Sequence, residues 1–418
     1  MTDTARPPVD DWATDFDHTT SEYAQNAPEI WADLRSRCPV AHSERFGGTW
    51  LPVRHEDVVA VARDTEHFSS EGVIVNDYKP VDLAPIGYAP PITSDPPFHQ
   101  AARRLLLPAF APKEIDRWEE TARATCRELL DELLADGRDV VDAAVEYTQH
   151  IPVRVIADML GVPREDGDKF RTFIHRIIEA PGSAEQEQIA YEDTLDHYLT
   201  QVVEARRAAP REEPQDLVDH LLAADLDGQP LSDDHITGTI GLLIIAGIDT
   251  TWSAIGASLW HLAQHPDDRR RLVEDPDVMV FAIEELLRAY APVTMARIVA
   301  EDTEIGGCPV NARDWVLLPF PAANLDPEVF EDPHEVVIDR QRNRHLAFGV
   351  GIHRCIGSNL ARMELRVGLE EWLRRIPDFE LAVDDPEQVR WSAGQVRGPR
   401  ELPVRILATV PHSTTEVR

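Results

Sequence analysis

The run Phe348-Gly349-Val350-Gly351-Ile352-His353-Arg354-Cys355-Ile356-Gly357 constrains this chain more than any other stretch. Glycines crowd around one cysteine, and Ser358 to Val367 follows with Leu360, Met363 and Val367 at helical spacing. Cys355 therefore sits in a loop just ahead of a helix N-terminus. Free backbone N–H groups and the helix dipole favour negative charge there, and thiolate is the form of cysteine that binds metal. Glycine also lets a large flat group approach the backbone closely. The plain alternative is a buried structural cysteine beside a turn.

A second feature is a very long helix, expected from Ser232 as N-cap to about Ala263. Its middle, Gly241-Leu242-Leu243-Ile244-Ile245-Ala246-Gly247-Ile248-Asp249-Thr250-Thr251, is apolar almost all round, which predicts a buried central helix. An acid and two threonines in such a segment are costly without partners or a task. Threonine can bond back to the carbonyl four residues earlier, and Gly247 weakens the helix, so a locally opened groove holding Asp249 and Thr250 is expected. A buried kink without chemistry is the alternative. Leu242, Ala246 and Thr250 share one face.

Composition bounds the rest. The chain has 418 residues, 43% hydrophobic, with 41 basic and 75 acidic side chains and a net charge of −34. Such a surface argues against nucleic-acid and anionic-membrane partners. Cys38, Cys126, Cys308 and Cys355 are scattered, without a disulfide framework, which points to a reducing cytoplasm. The start is polar, with no signal-like segment, and the apolar run Ile240 to Ile248 is too short to span a bilayer.

Along the chain, helical patterns dominate. Residues 1–27 read as an irregular lead, 27–38 and 55–62 as helices, and 71–97 as a proline-rich loop. Asp95-Pro96-Pro97 opens a helix carrying His99 and Arg103 on one face, by itself an ordinary exposed basic pair. Helices are expected over 115–145, 151–160, 166–180, 184–208, 216–224 and 277–290. Period-two stretches near 49–53, 295–300, 303–305, 308–310, 315–319, 379–383 and 403–409 read as short strands. Residues 391–400 read as a turn and 411–418 as a loose tail. Glu285 and Arg288, three apart, are commonly a solvated surface pair.

F-G-x-G-x-H-x-C-x-G, matched in full at 348–357, resembles the haem-ligand loop of the cytochrome P450 family. The resemblance runs from about 28 to 410 and implies one haem domain, mainly α with a minor β part, in which the long helix crosses the haem. It implies haem b with Cys355 as the iron ligand, Phe348, Gly349 and Gly357 shaping the ligand loop, and His99, Arg103, Arg297 and His353 holding the propionates. A-G-x-D-T-T at 246–251 resembles the family's oxygen-activation motif, so Asp249 and Thr250 are expected to deliver protons while dioxygen is activated. Glu285, Arg288 and Arg340 match a structural triad that braces the loop. Leu242, Ala246, Val293, Thr294 and Val396 match substrate-pocket positions. The implied activity is a haem-thiolate monooxygenase; alternatives are a peroxygenase or coupling catalyst of the same fold, a haem-based sensor, or a thiol-nucleophile enzyme. The chain also looks like the bacterial branch sometimes fused to a flavin and iron–sulfur reductase. It carries neither flavin nor ferredoxin motifs, so electrons from NAD(P)H are expected through a separate ferredoxin and its reductase. Arg342, Arg344, Arg354 and Arg362 are candidates to dock that ferredoxin, or else a solvated rim. A monomer is expected.

Overall fold

The computed structural model describes residues 6–75, 88–179 and 193–411. Its organising element is α10 (Asp233–Gln264), whose N-cap Ser232 accepts the His235 N–H at 3.2 Å. It is long and apolar enough to cross a membrane, but it is a core element, most of its apolar window being buried inside the fold. Around it pack α6 (His150–Leu160), α8 (Leu195–Ala208) and α14 (Ser358–Arg375). Burial rather than amphipathicity fixes α10, as expected for a helix apolar on every side. Its backbone stays helical throughout, so the expected opening near Gly247 does not occur as a break; the Thr250 hydroxyl bonds back to the Ala246 carbonyl at 2.8 Å within an unbroken ladder.

The remaining helices are α1 (Ser21–Arg37), α2 (His55–Arg63), α3 (Phe98–Leu106), α4 (Pro112–Ile115), α5 (Glu119–Leu134), α7 (Gly167–Ile174), α9 (Leu217–Ala223), α11 (Pro266–Glu274), α12 (Met279–Ala289) and α13 (Phe320–Asn324). One sheet has the order β1-β2-β10-β7-β3, built from β1 (Val40–Ser43), β2 (Thr49–Pro52), β3 (Phe68–Ser69), β7 (Thr294–Val299) and β10 (Trp315–Pro319). Among the described residues only β10 and β2 run parallel, with Trp315 opposite Thr49. A second sheet, β11-β12-β4, joins β4 (Val140–Asp142), β11 (Asp378–Leu381) and β12 (Pro403–Ala408). Two-stranded hairpins are made by β5 (Asp225–Leu226) with β6 (Gln229–Pro230), and by β8 (Thr303–Ile305) with β9 (Cys308–Val310).

Several expected boundaries move. The 115–145 helix ends at Leu134, because residues 140–142 pair with β12 instead. Pro266, just past the end of α10, starts α11, where its missing N–H costs nothing. The lead is not loose: Phe16, Asp17 and His18 are buried, and Phe16 joins the core beside Trp31 and Trp315. Parts of the expected 71–97 loop and 184–208 helix, and nearly all of the tail, lie outside the described residues.

Glu285 and Arg288 are fully buried, not solvated. Arg288 forks onto Glu285 with two bonds of 2.8 Å, and Arg340 Nε reaches the same carboxylate at 3.0 Å. Asn343 and the Val337 N–H complete it, at 2.9 Å each. Arg288 then donates to the carbonyls of Asn324, Pro333 and Glu335, so one ion pair pins the segment leading into the cysteine loop.

Buried His18 carries the first prediction. Burial pushes its pKa down to about 4, against a partial upward pull from Asp17, so the folded chain holds the ring neutral. A depressed histidine pKa gives stability that is complete above the ordinary value near 6.5 and is lost as pH falls towards 4. Urea midpoints should therefore drop over that window, and His18→Phe should flatten the drop; an unchanged slope would exclude this histidine as its source.

Candidate active site

One cavity between α10 and the cysteine loop collects most of the expected residues: Cys355, Phe348, Gly349, Gly357, His353, Arg103, Arg297, Leu242, Ala246, Thr250 and Val293. The loop is held by the Cys355 N–H on the Phe348 carbonyl at 2.8 Å and by Gly349 and Gly351 at positive φ. At Gly351 a side chain is impossible, since its Cβ would lie 2.7 Å from the Ala62 carbonyl oxygen. Cys355 opens onto the cavity but is remote from the outer surface. Burial raises its thiol pKa, while the Gly357 N–H and Arg103, Arg354 and Arg362 pull it back. The helix terminus alone thus does not make a thiolate; a metal ion on the sulfur would.

Above one edge stand the four expected anion-binding side chains. Arg297 is buried, with its pKa lowered to about 10 by burial, and donates to the Ala296 carbonyl at 2.7 Å. Arg103 donates to the Arg354 carbonyl at 2.6 Å. The rings of His99 and His353 lie 4.3 Å apart, edge to face. His353 meets the Ser70 hydroxyl at 2.9 Å, and burial, reinforced by Arg297, His99 and Arg103, pushes its pKa down to about 2. Neither ring nitrogen of buried His99 has a hydrogen-bond partner among the described residues. The nearest acid, Asp95, is already engaged by Ser69 and Ser70. Buried His99 without a partner among the described residues, beside two arginines that each spend only part of their donor capacity, is what two propionates would satisfy, so these residues fit haem b with Cys355 on its iron.

Asp249 departs from expectation. It does not line the cavity with Thr250; its fully buried carboxylate meets Arg400 Nη2 at 2.8 Å. Thr294 and Val396 are likewise buried behind the wall, with Val396 bridged to Val293, which does face the cavity. The residues on either side of Thr294, Val293 and Met295, face inward instead and line the space, as do Pro292, Ile92, Leu243, Thr251 and Ala254. Glu364 was not legible in advance. It borders the cavity beside the cysteine loop, and burial raises its pKa to about 8, so at neutral pH it adds little charge near the sulfur. Its position seven residues past Gly357 gave no sign of this, since a glutamate on a helix is ordinarily a surface residue.

The family model described as Cytochrome P450 matches residues 53–398. The chain is 36% identical over 384 residues to the nocardicin C N-oxygenase of Nocardia uniformis subsp. tsuyamanensis, covering 90% of this chain and 94% of that one. It is 34% identical to the mycinamicin IV hydroxylase/epoxidase of Micromonospora griseorubida, covering 85% and 89%. Among solved structures, a mutant of P450 EryK in complex with erythromycin B superposes with a TM-score of 0.80 at 30% identity, covering 94% of this chain and 99% of that one. A cysteine loop, a donor cluster and a crossing helix in this arrangement, with relatives matched over nearly their whole length, show that the chain belongs to the cytochrome P450 family.

Proposed function

We propose that this P450 monooxygenase inserts one oxygen atom of O2 into a small, mostly apolar organic molecule, using electrons that pass from NAD(P)H through a separate ferredoxin. Bound haem b supplies the binding and reductive activation of dioxygen, favoured by thiolate ligation. Two electrons and two protons accompany each O2; one oxygen atom goes to the substrate and the other leaves as water. The observation that carries the reading is that the Cys355 sulfur and the Thr250 hydroxyl open into one cavity whose walls are Leu242, Leu243, Ala246, Val293 and Met295. Such walls take an apolar substrate and exclude bulk water from the reaction. Relatives acting on nocardicin C and mycinamicin IV support an organic substrate of that general kind.

Thr250 lines the cavity and its hydroxyl donates to the Ala246 carbonyl at 2.8 Å, which supports a role in passing protons there. Thr250→Ala should preserve substrate binding while peroxide released per NAD(P)H rises several-fold; unchanged coupling would remove Thr250 from the relay. On the cysteine side, Arg342, Arg344 and Arg354 are exposed, whereas Arg362 is committed to Glu284 at 2.6 Å and to the Phe348 ring. The first three support docking of an acidic ferredoxin. All four cysteines are free, in keeping with a reducing cytoplasm. The test is turnover under labelled dioxygen with ferredoxin and reductase, on a compound chosen by its haem spin shift. Label in the product is expected; label only from water would overturn the reading.

A further inference from the structure

We propose that Arg400 is the positioning residue of the proton-relay acid, and that the loop carrying it ties that acid to the substrate-facing wall. The inference rests on the Asp249–Thr250 reading. Arg400 makes three contacts along one stretch of α10: Nη2 to Asp249 at 2.8 Å, Nη1 to Ser253 Oγ at 3.0 Å, and its guanidinium 4.5 Å from the centre of the Trp252 ring. A planar fork held at two points and stacked on a third surface fixes the carboxylate it binds far better than a flexible ammonium would. Arg400 is 17% exposed and Asp249 1%, so the arginine is also the buried acid's link to solvent.

The same loop is fastened to the cavity wall a few residues earlier. The Arg397 N–H donates to the Pro292 carbonyl at 2.7 Å, the Thr294 N–H donates to the Gln395 carbonyl at 2.9 Å, and Val396 bridges Val293. Pro292 and Val293 line the cavity. Between wall and arginine there is no slack. A Cβ on Gly398 would stand 2.4 Å from Ser253 Cβ, and one on Gly256 would stand 3.0 Å from Pro399. A tightly packed connection of this length transmits a shift instead of absorbing it. Asp249 is held out of the cavity that Thr250 lines, so its carboxylate must leave Arg400 before it can serve the threonine. A substrate pressing on Pro292 and Val293 moves the loop that holds Arg400, which makes release of the acid depend on an occupied pocket.

The holoenzyme variants Arg400→Met, Arg400→Lys, Ser253→Ala and Asp249→Asn test this. Arg400→Met should release several-fold more peroxide per NAD(P)H and change the solvent isotope effect, while its substrate-induced spin shift persists. Arg400→Lys should recover part of the coupling, and Ser253→Ala should fall between. Independently of turnover, urea midpoints should be non-additive for Asp249→Asn with Arg400→Met. Val293→Ala should alter coupling in the native background and not beside Arg400→Met. Native coupling in Arg400→Met with Asp249→Asn uncoupled, or additive midpoints, overturns the proposal alone. Native coupling in Asp249→Asn overturns the relay reading beneath it. If Arg400→Met fails to retain haem, Ser253→Ala and the midpoints decide.

Discussion

Cys355→Ala should abolish product formation and remove the red-shifted carbon monoxide band that thiolate-ligated ferrous haem gives. No other cysteine can substitute: Cys126 is buried with its thiol pushed up to about 12, and neither Cys38 nor Cys308 lines the cavity. Cys355→His is the informative companion. It should keep iron through nitrogen, shift the band to that of an imidazole ligand, and still lose monooxygenation, because the electron density that favours O–O cleavage comes from sulfur. Spectra of reduced, carbon monoxide-treated protein check both; a surviving thiolate band in the alanine variant would refute the ligand assignment.

Glu285→Ala should produce the largest loss of stability. It leaves Arg288 buried and both arginines without their carboxylate, and breaking a buried pair from one side costs about 3–5 kcal/mol. Burial raises the Glu285 pKa, but Arg288, the Val337 N–H and Arg340 outweigh it, so the net shift is downward. Stability from a depressed carboxylate is complete above its ordinary range and is lost as pH falls below it, so the variant should also be less acid-sensitive. Chemical unfolding and haem retention measure this. A midpoint near the native one would show that the triad does not brace the loop.

The long central helix was legible from its own apolar pattern, whereas the roles of the cysteine loop, the donor cluster and the buried triad came from the resemblance, since His99 with Arg103 and Glu285 with Arg288 read alone as ordinary surface pairs. Strand β4 was hidden because Val140–Asp142 is helical in pattern and becomes a strand only beside β12. Thr294 and Val396 were placed in the pocket by resemblance, yet a one-residue change of face in an extended chain turns each inward or outward. Asp249 could be named but its partner could not, since Arg400 lies some 150 residues away and meets it only through the packed C-terminal loop.

The four bases poised over the cavity edge bear on how the protein is made. Arg103 and Arg297 carry the positive charge there, while burial disfavours the charged forms of His99 and His353, and the two carboxylates of the macrocycle would accept from this cluster. Binding to the native state alone stabilises it by mass action, so the chain should unfold at a higher urea midpoint with porphyrin bound than without it. A cell short of iron or porphyrin should accumulate a half-finished form and lose it to proteases before any shortage of substrate is felt.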